Sequence, residues 1–133
     1  PGAPNVRVNT ILKNNEFKLG DRTVIPIEVM HNELPVTGYR IGDFSYLTDV
    51  KYIKDDQLLK LENTEVLIIN ALRIEPHPSH LNLEEALKLI KEIKPKKTYL
   101  THISHLLGFH NEVSKKLPKN VFLAYDNLKI NCN

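Results

Sequence analysis

The sequence has 133 residues, of which 41% are hydrophobic, so it is long enough for one domain with a substantial core. Its 18 basic and 16 acidic residues leave a formal charge of +2, which argues against a protein specialised for nucleic acids or membrane surfaces. No apolar run approaches the roughly 20 residues that span a bilayer, and a single cysteine excludes a disulfide framework. Together with the lack of a visible signal peptide, these features favour a cytoplasmic protein.

The first half of the chain predicts antiparallel strands joined by tight turns. Gly20-Asp21 and Gly42-Asp43 each lie between runs that are rich in β-branched and aromatic residues. Both pairs suit two-residue hairpins in which the glycine adopts a positive φ.

The second half has the pattern of alternating strands and helices. The apolar run 65–70 is typical of a strand that is covered on both faces. Asn82 as the N-cap, with Glu85 three residues later, predicts the start of a helix that Pro95 ends. This order predicts parallel pairing with right-handed crossovers. The further elements expected are a strand at 98–101, a weaker helix at 111–117 and a strand at 121–126.

Three of the expected strands end in a residue type that binds metals. "IPIEVM" is followed by His31, "FSYLT" by Asp49 and "TYLT" by His102. Ligands gather beyond the carboxyl ends of strands in α/β sheets, and zinc, manganese and iron accept imidazole and carboxylate. If the three strands are neighbours, the pattern predicts a metal site. Each residue alone is also typical of a surface histidine or a turn-forming aspartate, so that interpretation stays open.

Two histidines, His77 and His80, lie in the loop before the capped helix. Histidine is the usual proton donor near neutral pH, and loops at this edge of a sheet carry function. A solvated loop histidine has the same signature, so the sequence leaves both interpretations open.

Four stretches together resemble the C-terminal half of a metallo-β-lactamase-fold hydrolase: "VMHNELPVTGYRIGDFSYLTDVKYI", "HPSHLNLEEAL", "YLTHISH" and "LAYDNLKI". The most similar branch is the cyclic phosphodiesterase of the carbon–phosphorus lyase pathway, and transfer-RNA 3′-processing endonucleases are similar more distantly. The resemblance implies an α/β fold with a mixed sheet, one half of a four-layer αββα sandwich. It also implies a metal-dependent phosphodiesterase that hydrolyses a small or cyclic phosphodiester through a hydroxide on two divalent cations, zinc or manganese.

The resemblance further implies roles for individual residues. His31 matches a ligand of the first metal, Asp49 the carboxylate that bridges both metals, and His102 a ligand of the second. His80 matches a catalytic histidine that contacts the scissile phosphate and protonates the leaving oxygen. His105 matches a ligand of a separate structural zinc, which N-terminal cysteines complete.

The main metal motif of the family, His-x-His-x-Asp-His, does not occur in residues 1–133. We therefore expect residues 1–133 to be the C-terminal half of a metallo-β-lactamase-like domain, inactive without its N-terminal half. The expected partners are that half and a small-molecule phosphodiester, with no membrane, and nucleic acid is the weaker candidate. Alone, such a half exposes an apolar sheet face and is expected to dimerise or aggregate. The alternative is a non-catalytic structural or binding module of the same fold.

Overall fold

One mixed sheet of seven strands organises the chain in the computed structural model, which describes residues 4–132. The strands follow one another across the sheet in sequence order. Pairing is antiparallel from the first strand to the fourth and parallel from the fourth to the seventh, which confirms the mixed α/β fold predicted from the sequence. The strands are β1 (Phe17–Leu19), β2 (Arg22–His31), β3 (Leu34–Ile41), β4 (Phe44–Leu47), β5 (Val66–Asn70), β6 (Lys97–Thr101) and β7 (Val121–Leu123).

Both predicted Gly-Asp turns form. Gly20 joins β1 to β2 with φ 62°, and Gly42 joins β3 to β4 with φ 59°. The left-handed region costs glycine little, so these turns set the register of the two hairpins.

The main helix begins and ends close to where the sequence predicts. The Asn82 side chain accepts a hydrogen bond from the Glu85 backbone N–H at 2.8 Å, and the Glu85 carboxylate accepts one from the Asn82 N–H at 2.9 Å. This reciprocal pair satisfies two free donors of the first turn. The helices are α1 (Asp55–Leu58), α2 (Leu83–Ile93) and α3 (His110–Ser114), with 3-10 helices at Leu59–Leu61 and His105–Leu107.

The C-terminal elements are shorter than predicted. α3 has five residues, and no side chain caps its first turn at Phe109. β7 has three residues and ends at Leu123. Among residues 4–132, no helix combines the length and the apolarity that crossing a bilayer requires.

The core lies on the face of the sheet that the helices cover. α2 contributes the buried Ala86 and Ile90 to it. Gly38 leaves room for this packing, since a Cβ there would lie 2.4 Å from the Leu47 Cδ2 atom. The buried strand residues on this face include Ile27, Val29, Leu47, Leu67, Ile69, Leu100 and Leu123.

The opposite face of the sheet is aromatic and partly open. Tyr46 and Phe122 are 42% and 40% exposed on it, and Ile68 is half-buried. The prediction that β5 is covered on both faces therefore holds for one face only in the described chain. An apolar sheet face of this kind suits a further layer of protein. A row of register partners crosses it from strand to strand: Tyr39, Tyr46, Ile68, Tyr99 and Phe122.

Candidate metal centre

Four side chains meet at the rim of the sheet, the edge at which β2, β4 and β6 end. His31 is the last residue of β2, Asp49 lies two residues beyond β4, and His102 directly follows β6. His80 reaches the same place from the loop before α2. Its ring centroid is 4.5 Å from that of His31 and 4.7 Å from that of His102, so His80 lies between the other two imidazoles.

The distances in this cluster fit a divalent cation. Oδ1 of Asp49 is 3.1 Å from Nε2 of His80 and 3.6 Å from Nε2 of His102. His31, Asp49 and His80 each offer one ligand atom, and these three atoms lie within 4.8 Å of one another. Tetrahedral nitrogen and oxygen ligands at about 2.0–2.1 Å from zinc stand roughly 3.3 Å apart, so small side-chain rotations suffice to close the set.

The strands that carry these residues are not neighbours, which corrects the condition attached to the sequence prediction. β3 lies between β2 and β4, and β5 lies between β4 and β6. The side chains converge because β2, β4 and β6 run in the same direction and the chain after Asp49 turns back toward β2. There Met30 forms a bridge with Tyr52, whose carbonyl accepts the Met30 N–H at 2.8 Å. This bridge holds His31, the neighbour of Met30, on the side of Asp49.

Asp49 and His102 both adopt a backbone conformation that most side chains avoid. Their φ angles are 58° and 54°, in the left-handed region. This region costs roughly 1–2 kcal/mol for an ordinary residue, and such strain concentrates at functional sites. Four described residues outside the cluster, including Lys94, share this conformation, so the strain accompanies the convergence of the side chains and does not by itself define the site.

We expect His102→Gly to raise the free energy of unfolding by up to about 1 kcal/mol while it weakens metal binding. Glycine relieves the left-handed strain, offset in part by its larger unfolded-state entropy. The His102 side chain is 41% exposed, so little packing is lost. Urea denaturation measures the stability, and titration of the metal-free protein with Co²⁺ measures the binding.

Lys94→Gly is the matched control for that experiment. Lys94 ends α2 with φ 57° and does not belong to the cluster at the rim. The Lys94→Gly variant should stabilise the fold to a similar extent and leave Co²⁺ binding unchanged. A clear loss of stability in His102→Gly would instead mean that the imidazole supports the fold.

The electrostatics of the cluster keep Asp49 and His80 in metal-binding forms. Burial raises the pKa of Asp49, but the hydrogen bond with His80 and the charge of His102 outweigh it, and the net pKa falls below 3.8. Burial lowers the pKa of His80 below 6.5, and the opposing hydrogen bond with Asp49 does not restore it. Near neutral pH, Asp49 is therefore an anion and His80 is mostly a neutral imidazole.

His77 lies on the other side of the His80 ring. The two Nδ1 atoms are 3.3 Å apart, and Ser79 Oγ lies 3.2 Å from that of His77 and 3.1 Å from that of His80. Since Nε2 of His80 faces Asp49, both ring nitrogens of His80 have partners. The structure thus brings together both histidines that the sequence offered as proton donors.

His105 lies apart from this cluster. It is the first residue of the 3-10 helix His105–Leu107, and it is exposed. Within residues 4–132, the grouped metal-ligand atoms belong to His31, Asp49 and His80, so a structural zinc at His105 stays a prediction.

Sequence reasoning passed over two residues that support the site. Ser79 lies in the loop between His77 and His80, and a hydroxyl in that position indicates a hydrogen bond to one of the two rings. Asn70 ends the apolar strand 65–70, and a polar residue that closes a buried strand requires a hydrogen-bond partner.

Comparison with known proteins places the chain in a family. A family model described as a β-lactamase superfamily domain matches residues 1–103, which include the four residues at the rim. The chain belongs to this family. A crystal structure of a diphosphatase from the PhnP family is 37% identical, with a TM-score of 0.88 over 92% of this chain and 48% of its own. These matches confirm the metallo-β-lactamase fold predicted from the sequence and its likeness to the phosphodiesterase branch.

Two further solved structures show the fold alone. The metallo-β-lactamase-fold protein YhfI from Bacillus subtilis is 23% identical, with a TM-score of 0.70 over 86% of this chain and 51% of its own. Human tRNase Z, short form, is 19% identical, with a TM-score of 0.64 over 86% of this chain and 46% of its own. The chain therefore spans about half the length of these three structures.

One curated relative has the name of a transferase and not of a hydrolase. An octanoyltransferase from Porphyromonas gingivalis (strain ATCC BAA-308 / W83) is 35% identical over 130 residues, which are 97% of this chain and 26% of the relative. The chain thus spans about a quarter of that protein. The family of the present chain includes hydrolases, as the diphosphatase shows.

Proposed function

We propose that this chain supplies part of the active site of a metal-dependent phosphodiesterase that hydrolyses a small or cyclic phosphodiester. The observation that carries the proposal is the convergence of His31, Asp49, His80 and His102 on one rim. Further support comes from the 37% identity to a diphosphatase. That name also favours a diphosphate linkage as a second candidate substrate, and both substrates are cleaved at a phosphorus–oxygen bond.

The donor set suits zinc or manganese, with two cations in the complete protein. Asp49 would be shared between them, with His31 on one cation and His102 on the other. When bound, the cations would lower the pKa of a water nucleophile and neutralise charge on the phosphate. Three protein ligands are few for two cations, so further ligands from outside residues 4–132 are part of the proposal.

His80 would hold and release the proton for the leaving oxygen. Its ring lies between the proposed metal ligands, where the scissile phosphate would sit. Burial keeps its pKa low in the free protein, but an anionic phosphodiester beside the imidazole favours the protonated form. Burial is the largest cause that lowers the pKa of the neighbouring His77, and the charges of Arg73, His80 and Lys51 lower it further, so Arg73 and Lys51 lie near enough to the rim to interact with an anionic substrate.

We further propose that the open aromatic face packs against an N-terminal half that carries the motif His-x-His-x-Asp-His. Two observations support this arrangement. The chain spans 48% of the diphosphatase structure, and the row from Tyr39 to Phe122 presents an apolar surface to whatever lies above it.

We expect the 133-residue chain, expressed alone, to dimerise or aggregate through this face. The double variant Tyr46→Glu/Phe122→Glu should reduce the association, because it places two charges on the apolar row. Sedimentation velocity over a range of concentrations measures the change. Leu59→Glu is the control, since Leu59 is 65% exposed but lies outside the sheet. A monodisperse wild-type chain at high concentration would contradict the proposed uncovered face.

The activity is tested with the complete protein, stripped of metal and then reconstituted with Zn²⁺ or Mn²⁺. The panel contains a cyclic phosphodiester, a linear phosphodiester, a diphosphate and an octanoyl thioester. Hydrolysis of a phosphorus–oxygen bond that requires the metal is expected. A folded, metal-loaded protein that cleaves none of them would favour the non-catalytic module, and reaction of the thioester alone would favour acyl transfer.

A further inference from the structure

The segment 70–72 carries none of the proposed ligands but forms hydrogen bonds to the backbone around the candidate site. Asn70, the last residue of β5, is fully buried. Its Oδ1 accepts a hydrogen bond from the Val50 N–H at 2.7 Å, and its Nδ2 donates to the Val50 carbonyl at 3.0 Å. One side-chain amide thus engages both backbone groups of the residue that follows Asp49.

The same carbonyl extends the link to the proton-donor loop. The Val50 carbonyl also accepts the N–H of Leu81 at 2.8 Å, and Leu81 directly follows His80. The Leu81 carbonyl in turn accepts the N–H of Leu72, two residues beyond Asn70, at 3.0 Å.

A third link reaches the end of β6. The Ala71 N–H donates to the Thr101 carbonyl at 3.1 Å, and Thr101 precedes His102. The Leu72 carbonyl accepts from the Ser104 N–H at 2.9 Å and from Ser104 Oγ at 2.8 Å. The segment 70–72 therefore has a hydrogen bond to a sequence neighbour of Asp49, of His80 and of His102.

The position of Asn70 explains why an amide is needed there. β4 and β5 pair as parallel strands up to Leu47 and Ile69, and the pairing then stops because the chain turns left-handed at Asp49. Without the Asn70 amide, the N–H of the fully buried Val50 would have no partner, and its carbonyl would keep only the hydrogen bond from the Leu81 N–H. Only a side chain that both donates and accepts replaces the lost pairing, and asparagine does so at this length.

We propose that Asn70 is a positioning residue for the site. Its amide fixes the left-handed turn at Asp49 and, through Val50 and Leu81, the separation between Asp49 and His80. The proposal rests on the proposed function in one respect only, namely that these two side chains act on a bound cation and its substrate.

The test compares Asn70→Asp and Asn70→Leu in the complete, metal-free protein. Aspartate keeps the acceptor for the Val50 N–H but sets an oxygen against the Val50 carbonyl, and leucine keeps the shape without either hydrogen bond. The probe is Co²⁺ alone, followed by its absorption spectrum. Both variants should bind Co²⁺ with roughly 10–100-fold lower affinity and a changed spectrum, the range found when a group that orients metal ligands is lost.

Ser45→Ala is the matched control. It removes another buried side-chain hydrogen bond, the 2.8 Å contact between Ser45 Oγ and Thr64 Oγ1, near the opposite end of β4. This variant should lose stability as the Asn70 variants do but keep the Co²⁺ affinity and spectrum of the wild type. An equal loss of affinity in Ser45→Ala would show that the effect is general destabilisation and would overturn the positioning role.

Amide hydrogen exchange gives a readout that does not depend on the metal. Exchange should become faster at Leu81 in both Asn70 variants and at Val50 in Asn70→Leu, which removes the acceptor of the Val50 N–H, and it should stay unchanged at Thr64. Unchanged exchange at Leu81, or wild-type Co²⁺ affinity in Asn70→Asp, overturns the proposal. Failure of the wild type to bind Co²⁺ counts against the proposed function instead, and the exchange at Leu81 still decides the role of Asn70. If Asn70→Leu does not fold, Asn70→Asp and the shorter Asn70→Ser carry the comparison.

Discussion

His80→Ala in the complete protein is expected to lower the turnover of a phosphodiester with a poor leaving group by roughly 10²–10⁴-fold. Without the imidazole, the leaving oxygen departs as an anion. A substrate whose leaving group has a low pKa needs little protonation, so its turnover should fall much less. Metal content should stay unchanged, because the proposal places His80 on the substrate. Steady-state kinetics with both substrates and elemental analysis measure the two effects.

His77→Ala is the matched control, since it removes the same side chain from the same loop. The His77 Nδ1 atom is only 3.3 Å from that of His80, so loss of the neighbour alone should have a modest effect. If His77→Ala abolishes turnover and His80→Ala does not, His77 is the donor. If His80→Ala loses metal, His80 is a ligand, a role that its 3.1 Å distance from Asp49 allows.

Local signals in the sequence were sufficient for most elements of the fold. Gly20 and Gly42 mark their turns because a positive φ is a requirement that few other residues meet. Asn82 and Glu85 mark the start of α2 because free N–H groups at a helix start need nearby acceptors. These constraints act within a few residues, so they can be predicted from the sequence itself.

The assembly of the candidate site is harder to predict from the sequence, because it depends on contacts between residues that are distant in sequence. His31 comes near Asp49 through the bridge between Met30 and Tyr52, although β3 separates their strands. The left-handed turn at Asp49 has no glycine to announce it. Strand endings predicted which side chains belong at the rim, but not the path of the backbone that brings them together.

The burial of β5 shows a second limit. The run 65–70 has apolar residues at both odd and even positions, and therefore on both faces of the strand, which indicates that both faces are covered. In residues 4–132 the helices cover one face, and Ile68 on the other is only half-buried. Hydrophobic periodicity predicts that a face is buried, but it does not tell which segment or which chain covers it.

Asp49→Ala is expected to remove metal and activity together, whatever the leaving group. One oxygen of Asp49 faces both His80 and His102, so its loss leaves imidazoles without the anion that they share. The metal affinity should fall by at least roughly 10²-fold, beyond the range for groups that only orient ligands. Elemental analysis and the same two substrates test this.

Asp49→Asn separates the charge of Asp49 from its shape. Asparagine tolerates the left-handed conformation, so the turn should persist while the negative charge is lost. We expect it to lose metal nearly as fully as Asp49→Ala, because a neutral amide oxygen is a much weaker ligand for two cations than an anionic carboxylate. Asp55→Ala, an exposed carboxylate at the start of α1, is the control and should change neither quantity. If Asp49→Asn keeps both metals and loses only activity, Asp49 acts on the substrate and does not bridge the cations.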